Sequence, residues 1–365
     1  MKVLFITNVP YPYTVDYLSE LGKKCDLVAL FERSTSSERD SSWANFKFNN
    51  CRATIMQGIK IGVESALCFE VIRHIKKEKA DIVLISNPCT PTGILEQIYM
   101  RIHGISYCIQ SEGAFVGKGW GLKERIKKFI MEKAKLYFST GKCQDEYFLK
   151  YGAQKSQIKR FPFTSLKEDE IRTRQLTADE KQLLKKKLGI EEEIVIICVG
   201  RFVPGKGIDI LLKALPKERN DIRTLIIGGK PTDEYRKICK ERQLKQVTFI
   251  NHISKSELKE YYACGNLFIL PTYSDTWGLV IVEAMSNGLP VICTDKCVAA
   301  CTLIKDGENG FVLPAGDILA FSEKISKVCN NKETLDEMGQ NALQNMQHYS
   351  LEKMADCVFN GISEL

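Results

Sequence analysis

Asp275-Thr276-Trp277-Gly278-Leu279-Val280-Ile281-Val282-Glu283, continued by Ala284-Met285-Ser286-Asn287-Gly288-Leu289-Pro290-Val291-Ile292, reads as a turn, a helix and a buried strand. The apolar spacing from Gly278 to Ser286 is helical, and Val291 to Thr294 is a continuous apolar run of strand length. Backbone N–H groups of Trp277, Gly278 and Leu279 are expected at the positive start of the helix, a layout that receives anions. The two acids of the segment, Asp275 and Glu283, would be two helical turns apart, about 12 Å at 1.5 Å per residue. A phosphate at the helix start would then leave Glu283 near a sugar hydroxyl of the same ligand.

Working outward, Glu193 to Val199, Thr224 to Ile227, Val247 to Ile250 and Leu267 to Leu270 are further strand-length apolar runs. Helical patterns separate them at Gly207 to Leu215, Glu234 to Gln243 and Lys255 to Cys264. Strand alternating with helix is the βαβ rhythm of a parallel sheet. An earlier series has the same rhythm, with strands expected at 2–7, Cys25 to Phe31, Asp81 to Ser86, Ser106 to Gln110 and, last, Leu136 to Ser139. Helices are expected there at Tyr17 to Leu21, Ser65 to Lys77 and Gly93 to His103. Between the series, Pro162 ends a segment and Lys167 to Lys187 is dense in charge, a linker leading into a surface helix. The expectation is an α/β chain with two Rossmann-like domains, 1–163 and 164–346. A final helix over 347–365 crosses back to the first domain, and the ligand cleft lies between the two sheets.

The totals agree with this division. A chain of 365 residues exceeds what one core serves and implies two domains of roughly 150 to 200 residues. No run of eighteen apolar residues is present, and Met1 to Thr7 reads as a first buried strand rather than a signal peptide, because Asn8 and Pro10 interrupt it. The 14 cysteines are scattered through strands and helices, as reduced thiols of a cytosolic protein are. Cys293, Cys297 and Cys301 are spaced by four but have no fourth Cys or His near them, so packing is the better reading than zinc. The net charge of +7 permits an anionic partner. Nucleic acid is disfavoured, since no basic stripe interleaved with aromatics spans either half.

The strand ending at Val199 is followed by Gly200-Arg201-Phe202-Val203-Pro204-Gly205-Lys206-Gly207. Two cations in a glycine-flanked strand-to-helix loop suit a diphosphate, Arg201 as a fork and Lys206 as a point charge, although a solvated pair on a turn has the same pattern. Gly207 after Lys206 excludes a Walker loop. Gly228-Gly229 ends the next strand and allows close approach of a ligand or a tight turn. Asn251-His252-Ile253 follows another strand, where His252 could act as a base but better suits a backbone edge that reads a nucleobase.

In order and spacing, the 200–207 loop, Gly228-Gly229, the Ser256-Glu257-Leu258 to Tyr262 helix and Asp275 to Pro290 resemble the family-4 retaining glycosyltransferases. These are nucleotide-sugar enzymes of the two-Rossmann GT-B fold that include the bacterial polysaccharide and capsule type. The resemblance is specific over 193–315. It implies that Arg201 and Lys206 neutralise the diphosphate leaving group, that Glu283 holds the ribose and that Gly200, Gly228, His252, Ile253, Trp277, Gly278 and Leu279 line the donor. It further implies transfer with retention to a glycan or lipid-linked acceptor at the cytoplasmic face of a membrane. A UDP-sugar is the commonest donor among such enzymes. The family has Glu-x7-Glu where this chain has Asp275 and Glu283, so the first carboxylate is one methylene shorter. The first domain departs as well, with Asn8-Val9-Pro10-Tyr11-Pro12-Tyr13 in place of a glycine pair. Gln110-Ser111-Glu112-Gly113 stands where a histidine is common. Glu112 thereby becomes the candidate for a donor-sugar or acceptor contact, or else a carboxylate capping its own turn. With cations facing the diphosphate and no Asp-x-Asp in the chain, neither a metal nor another cofactor is expected.

Trp120 to Tyr137 carries Lys123, Arg125, Lys127, Lys128, Lys133 and Lys135, with Leu122, Ile126, Phe129 and Ile130 at helical spacing. Such a helix either lies on an anionic membrane or packs its stripe on its own domain. Phe115-Val116-Gly117-Lys118-Gly119 before it would be an acceptor loop. Two rival functions stand beside the transferase. A dehydrogenase lacks its Gly-x-Gly-x-x-Gly fingerprint after the first strand. A non-catalytic nucleotide-sugar-binding or membrane-surface protein is favoured by Asp275 in place of Glu.

Overall fold

The computed structural model describes residues 1–36, 47–117, 119 and 121–365. The chain divides into two compact units, 1–168 with 349–365, and 169–348.

The first unit is built on β1 (Lys2–Thr7), β2 (Asp26–Phe31), β3 (Cys51–Ile55), a hairpin of β4 (Ile59–Ile61) and β5 (Ser65–Leu67), β6 (Ile82–Ile85), β7 (Tyr107–Gln110), β8 (Tyr137–Ser139) and β9 (Ile158–Arg160). Its helices are α1 (Pro12–Leu21), α2 (Glu70–Glu78), α3 (Pro91–Ile102), α4 (Leu122–Met131) and α5 (Lys142–Lys150). Seven strands pair in the order β3-β2-β1-β6-β7-β8-β9, all parallel. Because helices cover both faces, strands such as Ile82-Val83-Leu84-Ile85 are apolar at every position and wholly buried.

Two expectations for this unit are corrected. The helix expected from Ser65 to Lys77 begins only at Glu70, and 65–67 is strand β5. Ala66 there is buried, its N–H donates to Glu32 Oε2 at 2.7 Å and its carbonyl accepts from Thr92 Oγ1 at 2.7 Å. Those long-range partners override local helical spacing. Nor is 137–139 the last strand, because the short Ile158-Lys159-Arg160 adds to the edge beside β8. It is too polar and brief to stand out as an apolar run.

Residues 164–168 and 349–365 also belong to this unit. Leu351 N–H donates to Leu166 O at 2.8 Å, and α14 (Leu351–Ser363) packs on α1. Lys24 Nζ lies 2.5 Å from Asp356 Oδ1.

The second unit contains α6 (Ala178–Lys187), β10 (Ile194–Val199), α7 (Ile208–Ala214), β11 (Ile222–Ile227), α8 (Asp233–Arg242), β12 (Val247–Ile250), α9 (Lys255–Cys264), β13 (Leu267–Leu270), α10 (Leu279–Met285), β14 (Val291–Thr294), α11 (Val298–Leu303), β15 (Gly310–Leu313), α12 (Ile318–Cys329) and α13 (Lys332–Met346). The sheet order is β12-β11-β10-β13-β14-β15, again parallel. The order reverses between β10 and β13, so the loops leaving these two strands diverge to opposite faces and leave a crevice at their carboxyl ends. Residues 200–207 and 271–278 are those loops.

Candidate functional site

Glycine geometry brings the second unit's loops together. Gly207 adopts φ +66°, and a Cβ there would lie 2.0 Å from Pro271 O, so the β10 loop rests directly on the end of β13. Gly205 O accepts from Tyr273 N–H and Thr272 Oγ1, each at 2.9 Å. Gly228 has φ +134°, and a Cβ would meet Gly200 O at 2.3 Å. Three strand ends therefore converge with almost no side-chain bulk between them, as close approach of a ligand to backbone requires.

In this frame Lys206 Nζ reaches Asp275 Oδ2 at 2.5 Å, with the two side chains 20% and 17% exposed. Lys206 leaves the one-turn helix Pro204–Lys206. Asp275 is fixed by its own N–H, which donates to Lys296 O at 2.9 Å, and by a single parallel bridge to Cys297. Arg201 stands exposed at the mouth of the same loop.

The reading of Asp275 and Glu283 as two acids on one helix is corrected. Helix α10 starts at Leu279 with Gly278 as its N-cap at φ +99°. Asp275 sits four residues outside it, and Glu283 is one turn into it, about 6 Å along the axis from the helix start, so the two acids do not share the helix. The cause is the Trp277-Gly278 turn. Trp277 is buried and its carbonyl accepts from Ala299 N–H at 2.9 Å and Cys297 Sγ at 2.9 Å. A Cβ on Gly278 would collide with that sulfur at 2.6 Å. Cys297 is thus a turn-forming group. Cys293 beneath it is fully buried, and burial together with the Cys297 contact pushes its thiol up.

Glu283 has a partner that the sequence reading did not single out. Tyr262, on α9, donates its hydroxyl to Glu283 Oε2 at 3.1 Å. The phenol is buried, and burial, then the Glu283 charge, hold its pKa well above the ordinary value. It remains a donor at every physiological pH. Asn287 Nδ2 secures the same residue's carbonyl at 2.9 Å. A Tyr 21 positions before an acid carries no local signal, since the pairing depends on α9 and α10 packing beside β13.

His252 and Ile253 follow β12, the edge strand. His252 is exposed and Ile253 half-buried, and His252 takes part in neither the Lys206–Asp275 nor the Tyr262–Glu283 pair. Ile250 O at the end of that strand accepts from Gly228 N–H at 3.0 Å, which ties the loop to the glycine turn.

In the first unit Glu112 receives the Tyr13 hydroxyl at 3.0 Å on Oε1 and 3.1 Å on Oε2. Tyr13 stacks on Tyr11 with centroids 5.6 Å apart. The carboxylate is therefore held from the first turn of α1. Helix α4 presents Leu122, Ile126 and Phe129 at 74%, 50% and 53% exposure, whereas Ile130 is buried. Lys127 Nζ lies 4.5 Å from the Tyr147 centroid and 4.7 Å from that of Tyr151. Lys118 and Trp120 lie outside the described residues. Among the described residues no helix is long and apolar enough to cross a membrane.

Two parallel Rossmann-like sheets, the second with a cation-bearing glycine loop at its switch point, define the GT-B fold. Solved structures agree: HepE of Anabaena in complex with UDP matches with TM-score 0.80 at 15% identity, over 100% of both chains. Sucrose-phosphate synthase of Thermosynechococcus elongatus matches with TM-score 0.75 at 17% identity, over 100% of this chain and 99% of that one. At the level of family, residues 180–345 match the model described as glycosyl transferases group 1. Among curated relatives, the capsular polysaccharide biosynthesis glycosyltransferase CapM of Staphylococcus aureus is 30% identical over 44% of this chain and 43% of its own length. The sulfoquinovosyl transferase SQD2 of Arabidopsis thaliana is 30% identical over 44% of this chain and 31% of its own. The matched stretch spans less than half the length of either relative.

Proposed function

We propose that the protein is a retaining, metal-independent glycosyltransferase. It moves a sugar from a nucleotide-sugar donor, a UDP-sugar, to a glycan or lipid-linked acceptor in cell-surface polysaccharide synthesis. The observation that carries this reading is the Lys206–Asp275 pair at 2.5 Å, a cation and a carboxylate together at the switch point of the sheet that bears the family match. Breaking a sugar–phosphate bond leaves negative charge on the diphosphate, and preorganised positive groups there stabilise the transition state more than the ground state. Lys206 and Arg201 supply that charge. When the diphosphate takes Lys206, Asp275 is released to accept from hydroxyls of the donor sugar. Glu283, with Oε2 held by Tyr262, accepts from the ribose, and Gly200 and Gly228 let the ligand approach backbone. The matched glycosyltransferases and the UDP and UDP-glucose complexes of HepE support the donor class.

The α4 face extends the reading to the site of action. Exposed Leu122, Ile126 and Phe129 beside Lys123 and Arg125, with Lys133 and Lys135 just past the helix, suit the cytoplasmic surface of an anionic membrane. Apolar side chains enter the headgroup boundary there and cations meet phosphate.

The deciding experiment is thermal-shift screening against UDP, GDP and ADP, followed by sugar release from the stabilising nucleotide's donors. A ligand at 100 times its dissociation constant raises stability by about 2.7 kcal/mol. Stabilisation with transfer supports the proposal. Stabilisation without any sugar release favours the non-catalytic binding protein, which the shortened acid at 275 also suits, and no stabilisation by any of the three sinks both.

A further inference from the structure

A cavity of about 510 Å³ opens in the second unit at the amino ends of its strands. Arg223, near the start of β11, lines it, whereas Gly228 follows the last residue of the same strand. Extended chain of that length covers about 17 Å at roughly 3.3 Å per residue, so the cavity is well apart from the glycine loops. Its walls are the loop from α7 to β11, which carries Lys217, and the segment from Arg242 at the end of α8 to Lys245 before β12.

Hydrogen bonds tie the two walls together. Arg242 Nη2 donates to Leu215 O at 2.9 Å, and Gln246 Nε2 donates to Pro216 O at 2.8 Å. The end of α8 is closed as well, since Cys239 O accepts from Leu244 N–H at 2.9 Å and Lys240 O from Gln243 N–H at 3.2 Å. These carbonyls are thereby engaged within the chain. Segments that carry cations are held against one cavity despite their mutual repulsion.

The charges there do not cancel within the chain. Arg223 is engaged by Glu192 and by Thr248 Oγ1 at 3.2 Å, and Glu241 has Lys237 at 3.8 Å. Among the described residues Lys217, Arg242 and Lys245 have no carboxylate partner, and Glu218 is the lining acid that faces them without a cation of its own. Arg242 Nε–H is also buried with no acceptor, a state that folded chains seldom leave without a reason. A guanidinium fork flanked by two ammonium point charges is a donor set suited to phosphate.

The rest of the lining restricts what the phosphate can be attached to. None of the described lining residues has an apolar or aromatic side chain, so a nucleobase or an acyl chain would find nothing to pack on. Asn220 and Gln243 offer amides and Glu218 a carboxylate, groups that exchange hydrogen bonds with hydroxyls. The volume lies within the range of small-molecule sites. We propose that this cavity is a second ligand site, separate from the donor crevice, and that it binds a small hydroxylated phosphate ester of the hexose phosphate class. The inference does not rest on the glycosyltransferase reading.

Calorimetry on the full chain with glucose 1-phosphate, glucose 6-phosphate and mannose 6-phosphate tests it, with free glucose and inorganic phosphate as the two halves of the ligand. At least one hexose phosphate is expected to bind, inorganic phosphate more weakly and glucose not at all. Lys217→Glu with Lys245→Glu, both at exposed positions, should weaken the hexose phosphate at least about tenfold, as loss of charged contacts to phosphate does. Lys206→Ala should leave its affinity unchanged, because that lysine belongs to the other end of the sheet. The inference is overturned if no hexose phosphate binds, if inorganic phosphate binds as tightly as the best ester, if the double reversal keeps the parent affinity, or if Lys206→Ala abolishes binding. Should the double reversal fail to fold, unchanged affinity in Lys245→Ala overturns it alone. Hexose phosphate binding in a chain that no nucleotide stabilises would defeat the donor assignment and leave this site standing.

Discussion

Lys206 Nζ and Asp275 Oδ2 are 2.5 Å apart although 69 residues separate them in the chain. Each comes from the loop after a different central strand, and both are largely withdrawn from solvent. The carboxylate holds the lysine nitrogen that the proposed function gives to a ligand phosphate, so under that proposal diphosphate binding is an exchange of anions.

Asp275→Asn should therefore bind nucleoside diphosphate more tightly, by about fivefold for ~1 kcal/mol of competing ion pair, while transfer falls. Lys206→Ala should weaken the same ligand and reduce transfer by at least about a hundredfold, as loss of a charge-stabilising donor does. Calorimetry with UDP, compared with uridine as the phosphate-free control, reads the first effect. Equal or weaker UDP binding in Asp275→Asn would refute the exchange.

Tyr262→Phe removes the donor to Glu283 and little else. Donor KM is expected to rise about tenfold, since a hydrogen bond to a charged group is worth roughly 1.5 kcal/mol, with kcat nearly unchanged. The penalty should be constant from pH 6 to 9, because burial and Glu283 keep the phenol protonated throughout. Glu283→Ala should abolish transfer and keep the fold. Steady-state kinetics across pH test this, and a kcat loss with unaltered KM would contradict the positioning role.

Glu96 on α3 is buried, and among the described residues its Oε2 has no hydrogen-bond partner. Burial, with the Glu32 charge adding to it, holds its carboxyl well above the usual range. Because the folded-state pKa is raised, the chain loses stability as pH rises from the unfolded value near 4.3 toward the folded one, at roughly 1.4 kcal/mol per pH unit. Glu96→Gln should accordingly melt at a higher temperature than the parent chain at pH 7, and the gap should close as pH falls to about 4.5. Melting curves at pH 4.5 and 7 decide it, a pH-independent difference being the adverse outcome.

At α4 and the turn after it, Lys123→Glu with Lys133→Glu should lower partitioning to phosphatidylserine vesicles, by about 1 kcal/mol or more for each cation lost near the surface. Phe129→Asp should lower it without changing the salt dependence of what remains. Co-sedimentation at two salt concentrations checks both, and failure of the parent chain to bind anionic vesicles removes the membrane reading.

Periodicity along the chain was enough for most elements. Lys255 to Cys264, Leu267 to Leu270 and Val291 to Thr294 were legible to the residue, because strands buried on both faces must be apolar throughout and helices must repeat every 3.6 residues. The glycines of 200–207 and 228–229 were equally visible, and at Gly207 and Gly228 a side chain cannot fit. Where an element depends on partners far along the chain, local pattern failed: Ser65 to Leu67 became a strand through Glu32, Thr92 and the β4 pairing, and Asp275 stands outside α10 because the Cys297 contact with Trp277 fixes a turn between them.

Residue order thus decided the two βαβ series and the cation-bearing loop, since these follow from steric and hydrophobic rules acting over a few neighbours. Three-dimensional packing alone decided that Lys206 meets Asp275, that Tyr262 holds Glu283, and that Tyr13 reaches Glu112. Each of these joins residues whose separation in the chain says nothing of their distance in space, and strand order in the sheet is what brings them within hydrogen-bonding reach.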